Sequence, residues 1–218
     1  MNSSPAIVLF GDVATSRRAA TRSSRWLRTL TAELDRRYAD VRLARFGFTQ
    51  GDELQGVLDA AADPFPAILT AALHPDGLPM RWAVSVGQVD RGPGPATQRT
   101  GAAFLAARDA IVRAKSRREG LVVVTGDPGT DTLLADVAPL FAILLEELTD
   151  RQREIARLML VEGMRQADVA ERLRIARPTV SVAVERARLR EIARLGHALA
   201  TLLRMGIEAV GLGPGAAS

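Results

Sequence analysis

Residues 166–181, QADVAERLRIARPTVS, have the pattern of two short helices joined by a tight turn. Val169, Ala170 and Leu173 recur at helical spacing, and the small Ala170 allows a second helix to approach closely. Pro178 follows the turn and suits the first turn of a helix, where a missing N–H group needs no partner. We therefore expect a second helix from residue 177 to about residue 195, with an inward face formed by Val180, Val184 and Ala187.

Another helix is predicted on the N-terminal side of this pair, over residues 149–161. Thr149 is a favourable N-cap, and Asp150 places a negative charge in the first turn.

The charge balance of the chain also changes near residue 150. Residues 150–206 contain 12 arginines and 7 acidic residues, whereas basic and acidic side chains balance over residues 1–149. The last third of the chain is therefore expected to form a helical module that contacts a polyanion.

This module resembles the helix-turn-helix of bacterial transcription regulators in residues 166–173 and 176–181. A small residue in the first helix and a Thr-Val-Ser start of the second helix recur in that family. The resemblance implies that the second helix presents its N-terminal end to the major groove of double-stranded DNA, where hydroxyl and arginine side chains reach base edges and helix N-termini bind phosphate. The predicted DNA-binding residues are Arg165, Gln166, Arg177, Thr179, Ser181, Val182, Glu185 and Arg186. The alternative is a three-helix packing domain whose arginines are only solvated.

The first 125 residues instead alternate between strand and helix patterns. Apolar runs predict buried strands at residues 6–10 and 121–125, and alternating patterns predict strands at residues 41–48, 54–58 and 81–89. Helical patterns are found at residues 21–38, 65–73 and 101–115. The resulting order, β-α-β-β-α-β-α-β, is typical of a sheet covered by helices. The chain is therefore expected to be an α+β protein with an all-α C-terminal module.

Two short motifs in this region carry carboxylates. GDVATSR, residues 11–17, follows the first strand, and FGFTQGDELQG, residues 46–56, forms the predicted hairpin. Asp12 and Asp52 are expected at one edge of the sheet, where paired carboxylates would hold Mg²⁺ and a phosphate-bearing ligand. The alternative is structural, with Asp12 capping a helix and Asp52 stabilising a tight turn. The predicted ligand-binding residues are Asp12, Ser16, Arg17, Gly51, Asp52, Glu53 and Arg108, of which Asp12 and Asp52 are the predicted metal ligands.

This layout resembles palm-type domains, which are found in polymerases, nucleotidyl cyclases and diguanylate cyclases. QGDEL, residues 50–54, is similar to the cyclase signature Gly-Gly-Asp-Glu-Phe. Both motifs, the strand at residues 81–88, the helix at residues 101–111 and the helix-turn-helix together resemble the SatD-like family of bacterial proteins over about residues 7–190. The resemblance implies a ferredoxin-like or palm-type sheet with helices, followed by a helix-turn-helix domain. It defines an architecture more firmly than an activity.

The predicted domain organisation follows these patterns. Residues 1–130 form a palm-like ligand-binding domain, residues 131–148 a linker helix, residues 149–206 the helix-turn-helix domain and residues 207–218 a flexible tail. Pro139 interrupts the linker, so either the helix kinks there or a new helix starts near Asp136. The apolar stripe from Leu133 to Leu148 either packs on the sheet or the next domain, or forms a dimer seam. A second candidate dimer surface is the stripe Leu189, Ile192, Leu199, Leu202 and Leu203.

Composition excludes several classes of site. The absence of cysteine rules out disulfides and thiolate metal sites, and two histidines offer little material for a catalytic triad or a zinc site. His74 is expected at the surface in a turn, and His197 on a terminal helix face. No apolar run approaches the ~18 residues that span a bilayer, which favours a soluble, cytoplasmic protein without membrane contact.

The leading hypothesis is a DNA-binding transcription regulator that forms a homodimer and senses a nucleotide or another phosphorylated ligand. One alternative is a Mg²⁺-dependent nucleotidyltransferase or cyclase tethered to DNA, and another is a ligand-free dimeric DNA-binding protein. The catalytic inventory is thin, because the only lysine, Lys115, is expected to lie far from both motifs. Arg108 is expected to pair with Asp12 or Asp109 if it does not contact a ligand. These features leave enzymatic activity open and favour its absence.

Overall fold

Strands and helices alternate over the N-terminal part of the chain in the predicted order. The computed structural model describes residues 3–14, 20–49, 52–117 and 119–213. The elements of this part are β1 (Ser3–Val13), α1 (Ala20–Arg37), β2 (Arg42–Phe48), β3 (Glu53–Asp59), α2 (Phe65–Ala72), β4 (Met80–Asp90), α3 (Ala102–Arg117) and β5 (Leu121–Val124). The chain is therefore a mixed α+β protein, as the sequence predicts.

The five strands of the described residues form one mixed sheet in the order β2-β3-β1-β4-β5. Strand β1 lies at the centre and pairs antiparallel with β3 and β4, and β2 pairs antiparallel with β3. Strand β5 runs parallel to β4, a pairing that requires a crossover connection, and α3 provides it. The units β1–α1–β2 and β3–α2–β4 are thus interleaved, because each has a strand of the other between its two strands.

Both faces of the sheet are covered, which explains the apolar run in β1. Ile7 and Leu9 face the core beneath α1 and α2, whereas Ala6, Val8 and Phe10 face α3. The α3 side of this contact includes four alanines that allow the helix to lie close to the sheet, Ala103, Ala107, Ala110 and Ala114, together with the larger Phe104 and Ile111. The central strand is therefore buried on both sides. Asp12 lies near its carboxyl end, at the edge of the face that α3 covers.

The C-terminal part is helical throughout the described residues. It consists of α4 (Pro128–Glu146), α5 (Asp150–Ala156), a short π-helical segment (Arg157–Val161), α6 (Gln166–Arg172), α7 (Arg177–Arg186) and α8 (Leu189–Ala209). Thr149 caps α5, since its hydroxyl accepts from the Gln152 N–H while the Gln152 side chain accepts from the Thr149 N–H at 2.9 Å. The predicted N-cap is therefore confirmed.

The helical part is packed directly on the sheet. One apolar core extends from the α1/α2 face of the sheet into α4, α5, α6, α7 and α8. Polar contacts reinforce this junction: Arg157 Nη2 donates to Glu33 Oε1 at 2.8 Å, and Arg153 Nη1 donates to the Ala72 carbonyl at 3.1 Å. The predicted boundaries at residues 130 and 148 therefore do not coincide with a break in the core.

Two sequence expectations about the helices are wrong, and one of two alternatives is excluded. Helix α4 is continuous through Pro139, which excludes the alternative that a new helix begins near Asp136. The recognition-type helix ends at Arg186 and does not reach residue 195, because Arg188 adopts a left-handed backbone with φ of 51°. Helix α8 extends to Ala209, three residues into the segment predicted as a flexible tail.

The apolar stripe of α8 is not a free surface. Leu189, Ile192, Leu199 and Leu203 are at most 2% exposed and belong to the chain's own core. They are therefore unavailable for the dimer contact that the sequence pattern allowed, and only Leu202 of that stripe is partly buried.

Helix α4 is long and apolar enough, by length and composition alone, to cross a membrane. It is not an uninterrupted apolar run, because Asp131 and Asp136 lie within it, and one helix of this kind is weak evidence for a membrane span. Its buried side chains, Leu134, Ala138, Phe141 and Leu145, pack within the shared core. Leu133, Leu140 and Ile143 on its outer side remain about half exposed.

Candidate functional site

Helices α6 and α7 form a tightly packed pair. Val169 and Ala170 of α6 and Val180 and Val184 of α7 are all buried, as predicted from their spacing. The intervening turn is closed by the Ile175 N–H, which donates to the Ala170 carbonyl at 3.0 Å. The inward residues thus pack between the helices, and the remaining faces of α7 point away from the core.

The outward face of α7 carries the predicted DNA-binding side chains. Arg177, Thr179, Ser181, Val182, Glu185 and Arg186 are all exposed. In the part of the chain that the structure describes, none of these side chains forms an ion pair or a hydrogen bond with another side chain. Val182 is 45% exposed and adds an apolar group to this face. This face is therefore free to contact a partner with both polar and apolar groups.

The two predicted residues at the start of α6 lie on the same module. Arg165 is exposed, and its backbone N–H donates to Asp168 Oδ2 at 3.3 Å. Gln166 is half-buried at the first helical position. The module has further exposed arginines outside the starts of α6 and α7, namely Arg172, Arg174, Arg188 and Arg190. The excess of positive charge predicted for this module thus lies on its surface.

A second group of charged side chains occupies the end of the sheet beneath α3. Asp12 of β1 lies opposite Glu53 of β3 in the strand register. Lys115 Nζ lies 2.8 Å from Asp12 Oδ1, and Arg108 Nη1 lies 2.9 Å from Glu53 Oε2. We call these four residues the carboxylate cluster. The two carboxylates are mostly buried, with side-chain exposures of 21% for Asp12 and 12% for Glu53.

Neighbouring residues position this cluster. The Gln55 side chain donates to Glu53 Oε1 at 2.8 Å, and the guanidinium of Arg108 lies 4.9 Å from the centre of the Phe10 ring. Arg81 of β4 lies opposite Asp12 in the register. Cations and carboxylates therefore alternate over a small area, and the lysine and arginine side chains in it are of the kind that bind phosphate oxygens.

Two sequence expectations about the cluster are wrong. Lys115 is in contact with Asp12, although the sequence placed it far from both motifs. Arg108 pairs with Glu53 and not with Asp12 or Asp109. The signal that could have found both contacts is the seven-residue spacing of Arg108 and Lys115, which puts them on one face of α3.

The predicted metal pair is not the pair that the register brings together. Glu53, and not Asp52, faces Asp12, and the Asp52 carbonyl accepts from the Val13 N–H at 3.1 Å. Within the described residues, no group of three or more His, Asp or Glu side chains could hold a metal ion. Ser16, Arg17 and Gly51 lie outside the described residues. The metal site at Asp12 and Asp52 therefore stays a prediction.

His74 is buried, which contradicts its expected surface position. It is 8% exposed, and its ring lies 6.3 Å from that of Trp26. Burial lowers the pKa of His74 below its usual value, and the nearby positive charge of Arg157 acts in the same direction. Both effects favour the neutral form of the ring. His197 is exposed on α8, as expected.

Comparison with known proteins concerns mainly the helical part. The family model described as Sigma-70, region 4 matches residues 143–190, from the last turn of α4 to the first residues of α8. No match was found among the curated proteins. One solved structure, a regulator of polyketide synthase expression from Bifidobacterium adolescentis, is similar at 16% identity and covers 93% of this chain and 82% of its own, with a TM-score of 0.29.

A TM-score this low does not establish a shared fold. The SatD-like resemblance is not confirmed by these comparisons and stays a prediction. The helix-turn-helix resemblance is supported, because the matched segment contains both helices of the pair and the turn between them. Residues 143–190 therefore form a helix-turn-helix region similar to region 4 of Sigma-70.

Proposed function

We propose that this protein is a DNA-binding transcription regulator in which α7 reads the major groove of double-stranded DNA. The observation that carries the proposal is the free outward face of α7 in a segment that matches Sigma-70 region 4. In a helix-turn-helix, the second helix lies in the groove and its N-terminal residues contact base edges. Access to DNA places the protein in the cytoplasm.

The outward face of α7 offers a different chemistry at each position. Arg186 suits the two acceptors of guanine, and Glu185 suits the amino group of cytosine. The half-exposed Val182 suits the methyl group of thymine, and the hydroxyls of Thr179 and Ser181 suit either donors or acceptors. Arg165 and Gln166, at the start of the preceding helix, are proposed to contact phosphates, which sets the position of the module but not its sequence preference.

The N-terminal part is proposed to be a palm-type, ferredoxin-like domain that binds a nucleotide or another phosphorylated ligand. The interleaved β1–α1–β2 and β3–α2–β4 units support this topology. In the carboxylate cluster, Arg108 and Lys115 would bind phosphate oxygens. Asp12, together with Asp52 or Glu53, supplies oxygen ligands of the kind that Mg²⁺ takes. Binding would exchange the internal ion pairs of the cluster for contacts with the ligand.

One observation favours a second candidate function, a nucleotidyltransferase or cyclase. Lys115 lies beside Asp12, so the cluster contains the lysine whose expected distance argued against catalysis. Incubation with ATP or GTP and Mg²⁺, followed by chromatography of the products, distinguishes the two functions. A regulator returns the nucleotide unchanged, whereas an enzyme converts it.

A homodimer is part of the proposal, because two copies of one helix-turn-helix bind a palindromic site more tightly than one. Helix α8 does not provide the contact, since its stripe is buried within the chain. The outer side of α4 is the remaining candidate surface, with Leu133, Leu140 and Ile143 between 47% and 51% exposed.

The DNA-reading proposal is tested by comparing two arginines. Genomic fragments are selected for binding, and the affinity is measured by fluorescence anisotropy over a range of salt concentrations. Arg186→Ala should weaken binding to the preferred site by about 1–3 kcal/mol and relax the sequence preference, whereas Arg165→Ala should weaken all sequences alike and lower the salt slope by about one. Arg204→Ala, an exposed arginine near the end of α8, is the matched control and should change neither.

The outcome that contradicts the proposal is equally specific. If the wild-type protein binds every fragment equally and neither Arg186→Ala nor Arg165→Ala changes the salt slope, α7 is not a recognition helix. Val180→Asp serves as a folding control, because a charge at this fully buried position should unfold the module and abolish binding to all sequences.

A further inference from the structure

We infer that a cavity at the junction of the sheet and the helix-turn-helix module binds a small, mainly apolar molecule that carries a carbonyl, carboxylate or sulfonate oxygen. The cavity has a volume of about 550 Å³, within the range of small-molecule sites. It lies between β4, the turn after α2 and the α4–α5 connection, and we call it the junction pocket. Its occupant would contact both the sheet and the helical part.

The walls of the junction pocket combine apolar side chains with four charged residues, Arg81, Glu146, Asp150 and Arg153. Leu78, Met80 and Trp82 line it from the turn and β4, and Leu121 and Leu145 line it from β5 and α4. Met80 and Trp82 belong to the core beneath α1 and α2, whereas Asp12 pairs with Lys115 of α3. The pocket therefore lies mainly on the other face of the sheet from the carboxylate cluster, and Arg81, which lies opposite Asp12 in the strand register, also lines it. An aromatic or aliphatic body matches these walls better than a phosphate does.

The pocket also contains one hydrogen-bond donor on a mostly buried side chain. His74 lines it and is more than nine-tenths buried. Its Nδ1 accepts from the Asp76 N–H at 3.1 Å, so the proton of the neutral ring is assigned to Nε2. Nε2 does not belong to the fully buried atoms that lack a partner, and no hydrogen bond holds it among the described residues. This N–H group is therefore free to donate to an oxygen atom of a ligand in the pocket.

A second unpartnered donor lies directly behind His74. Trp26 packs edge-on against the His74 ring, and its Nε1 is buried with no partner in the described residues. Trp82 lines the pocket itself. Both tryptophans of the chain therefore lie at this site, which makes their fluorescence a local reporter of occupancy.

The occupant would also touch the residue that holds the helical module in place. Arg153 of α5 lines the pocket and donates to the Ala72 carbonyl at the end of α2 and to the Glu146 carbonyl at the end of α4, both at 3.1 Å. Filling the pocket would therefore change how firmly α5 is held on α2. The link from this contact to DNA binding rests on the proposed function, but binding in the pocket does not.

The test uses 1-anilinonaphthalene-8-sulfonate as the probe, because it combines an aromatic body with an oxygen acceptor. Probe binding to the full chain is followed by quenching of tryptophan fluorescence. His74→Asn keeps an acceptor for the Asp76 N–H but removes the Nε2 donor, and it should weaken binding about tenfold. His197→Asn changes the exposed histidine of α8 and should leave the affinity unchanged. Ala72→Phe fills the pocket from the end of α2 and should abolish saturable quenching.

Circular dichroism of each variant shows whether it has folded. If Ala72→Phe does not fold, His74→Asn alone decides. The inference is overturned if the probe fails to bind the wild-type chain saturably, or if folded His74→Asn binds it as tightly as the wild type does. Anisotropy measurements with DNA are made on the same samples. A wild-type chain that binds the probe but not DNA contradicts only the proposed function. A wild-type chain that binds DNA but not the probe contradicts only the junction pocket.

Discussion

Phe141 should connect the stability of the sheet to that of the helix-turn-helix module. Its side chain is fully buried, its ring lies 6.4 Å from that of Phe65 on α2, and it also lies against Gly196 of α8. Replacing a buried phenylalanine by alanine typically costs about 3–5 kcal/mol, and the lost aromatic pair is part of that cost. We therefore expect Phe141→Ala to lower the free energy of unfolding by about 4 kcal/mol.

The assay is urea unfolding followed with two probes. Tryptophan fluorescence reports on the sheet, because Trp26 lies on α1 and Trp82 on β4, whereas circular dichroism is dominated by helices, including α4–α8. With a slope of about 2 kcal/mol per molar urea, the midpoint should fall by about 2 M. Because one core extends through both parts, both probes should shift together.

The control is Leu140→Ala, one residue earlier on α4. Leu140 is 51% exposed, so this substitution should change stability by no more than about 0.5 kcal/mol. If Phe141→Ala moves the dichroism midpoint but leaves the fluorescence midpoint in place, the two parts unfold separately. The shared core would then not act as one cooperative unit, and the argument from Phe141 would be refuted.

Three further predictions follow from other parts of the molecule. Asp12→Ala and Asp52→Ala should each weaken Mg²⁺-dependent nucleotide binding in calorimetry while the fold stays intact, and unchanged binding by the double variant would contradict the palm-type site. Light scattering of the wild type at micromolar concentration should give twice the chain mass of 23.4 kDa. The double variant Leu133→Glu, Leu140→Glu should give the mass of one chain, because charges replace the exposed apolar side chains of α4. A wild type with the mass of one chain would exclude the α4 dimer. Burial lowers the pKa of His74 in the folded chain, so the unfolded chain binds the proton more readily. The contribution of the neutral ring to stability is complete above the pKa of His74 in the unfolded chain. It is lost as the pH falls from there through the lower pKa of the folded chain. The melting temperature should therefore fall less in His74→Asn than in the wild type between about pH 7.5 and about pH 5.5, and equal falls would show that His74 does not contribute.

The order and type of the elements could be predicted from the sequence because they depend on local patterns. The apolar run in β1 and the alternation in β4 are read directly from neighbouring residues. The face of α7 follows from its helical period, which separates the buried Val180 and Val184 from the exposed Arg186. In each case the physical cause lies within a few residues of its effect.

The candidate site at the end of the sheet depended on contacts that no local pattern contains. Lys115 meets Asp12, 103 positions earlier, only because α3 crosses the sheet and brings its last turns over the end of β1. Glu53 and not Asp52 faces Asp12, because the strand register decides which of two adjacent side chains lies on the α3 face. A shift of one residue would have reversed that choice.

The sequence by itself determined the order and type of the elements before α4, the charge of the C-terminal third and the inward and outward residues of the helix pair, since periodicity and composition are sufficient for these. Only the tertiary structure decided which apolar stripes are core and which are surface. The stripe of α8 is buried because α8 packs back on α4, while part of the α4 stripe remains exposed. Both stripes have the same apolar periodicity, and the difference arises from which face meets the rest of the chain. The same holds for His74, which its turn sequence placed at the surface and which the packing against Trp26 of α1 helps to bury.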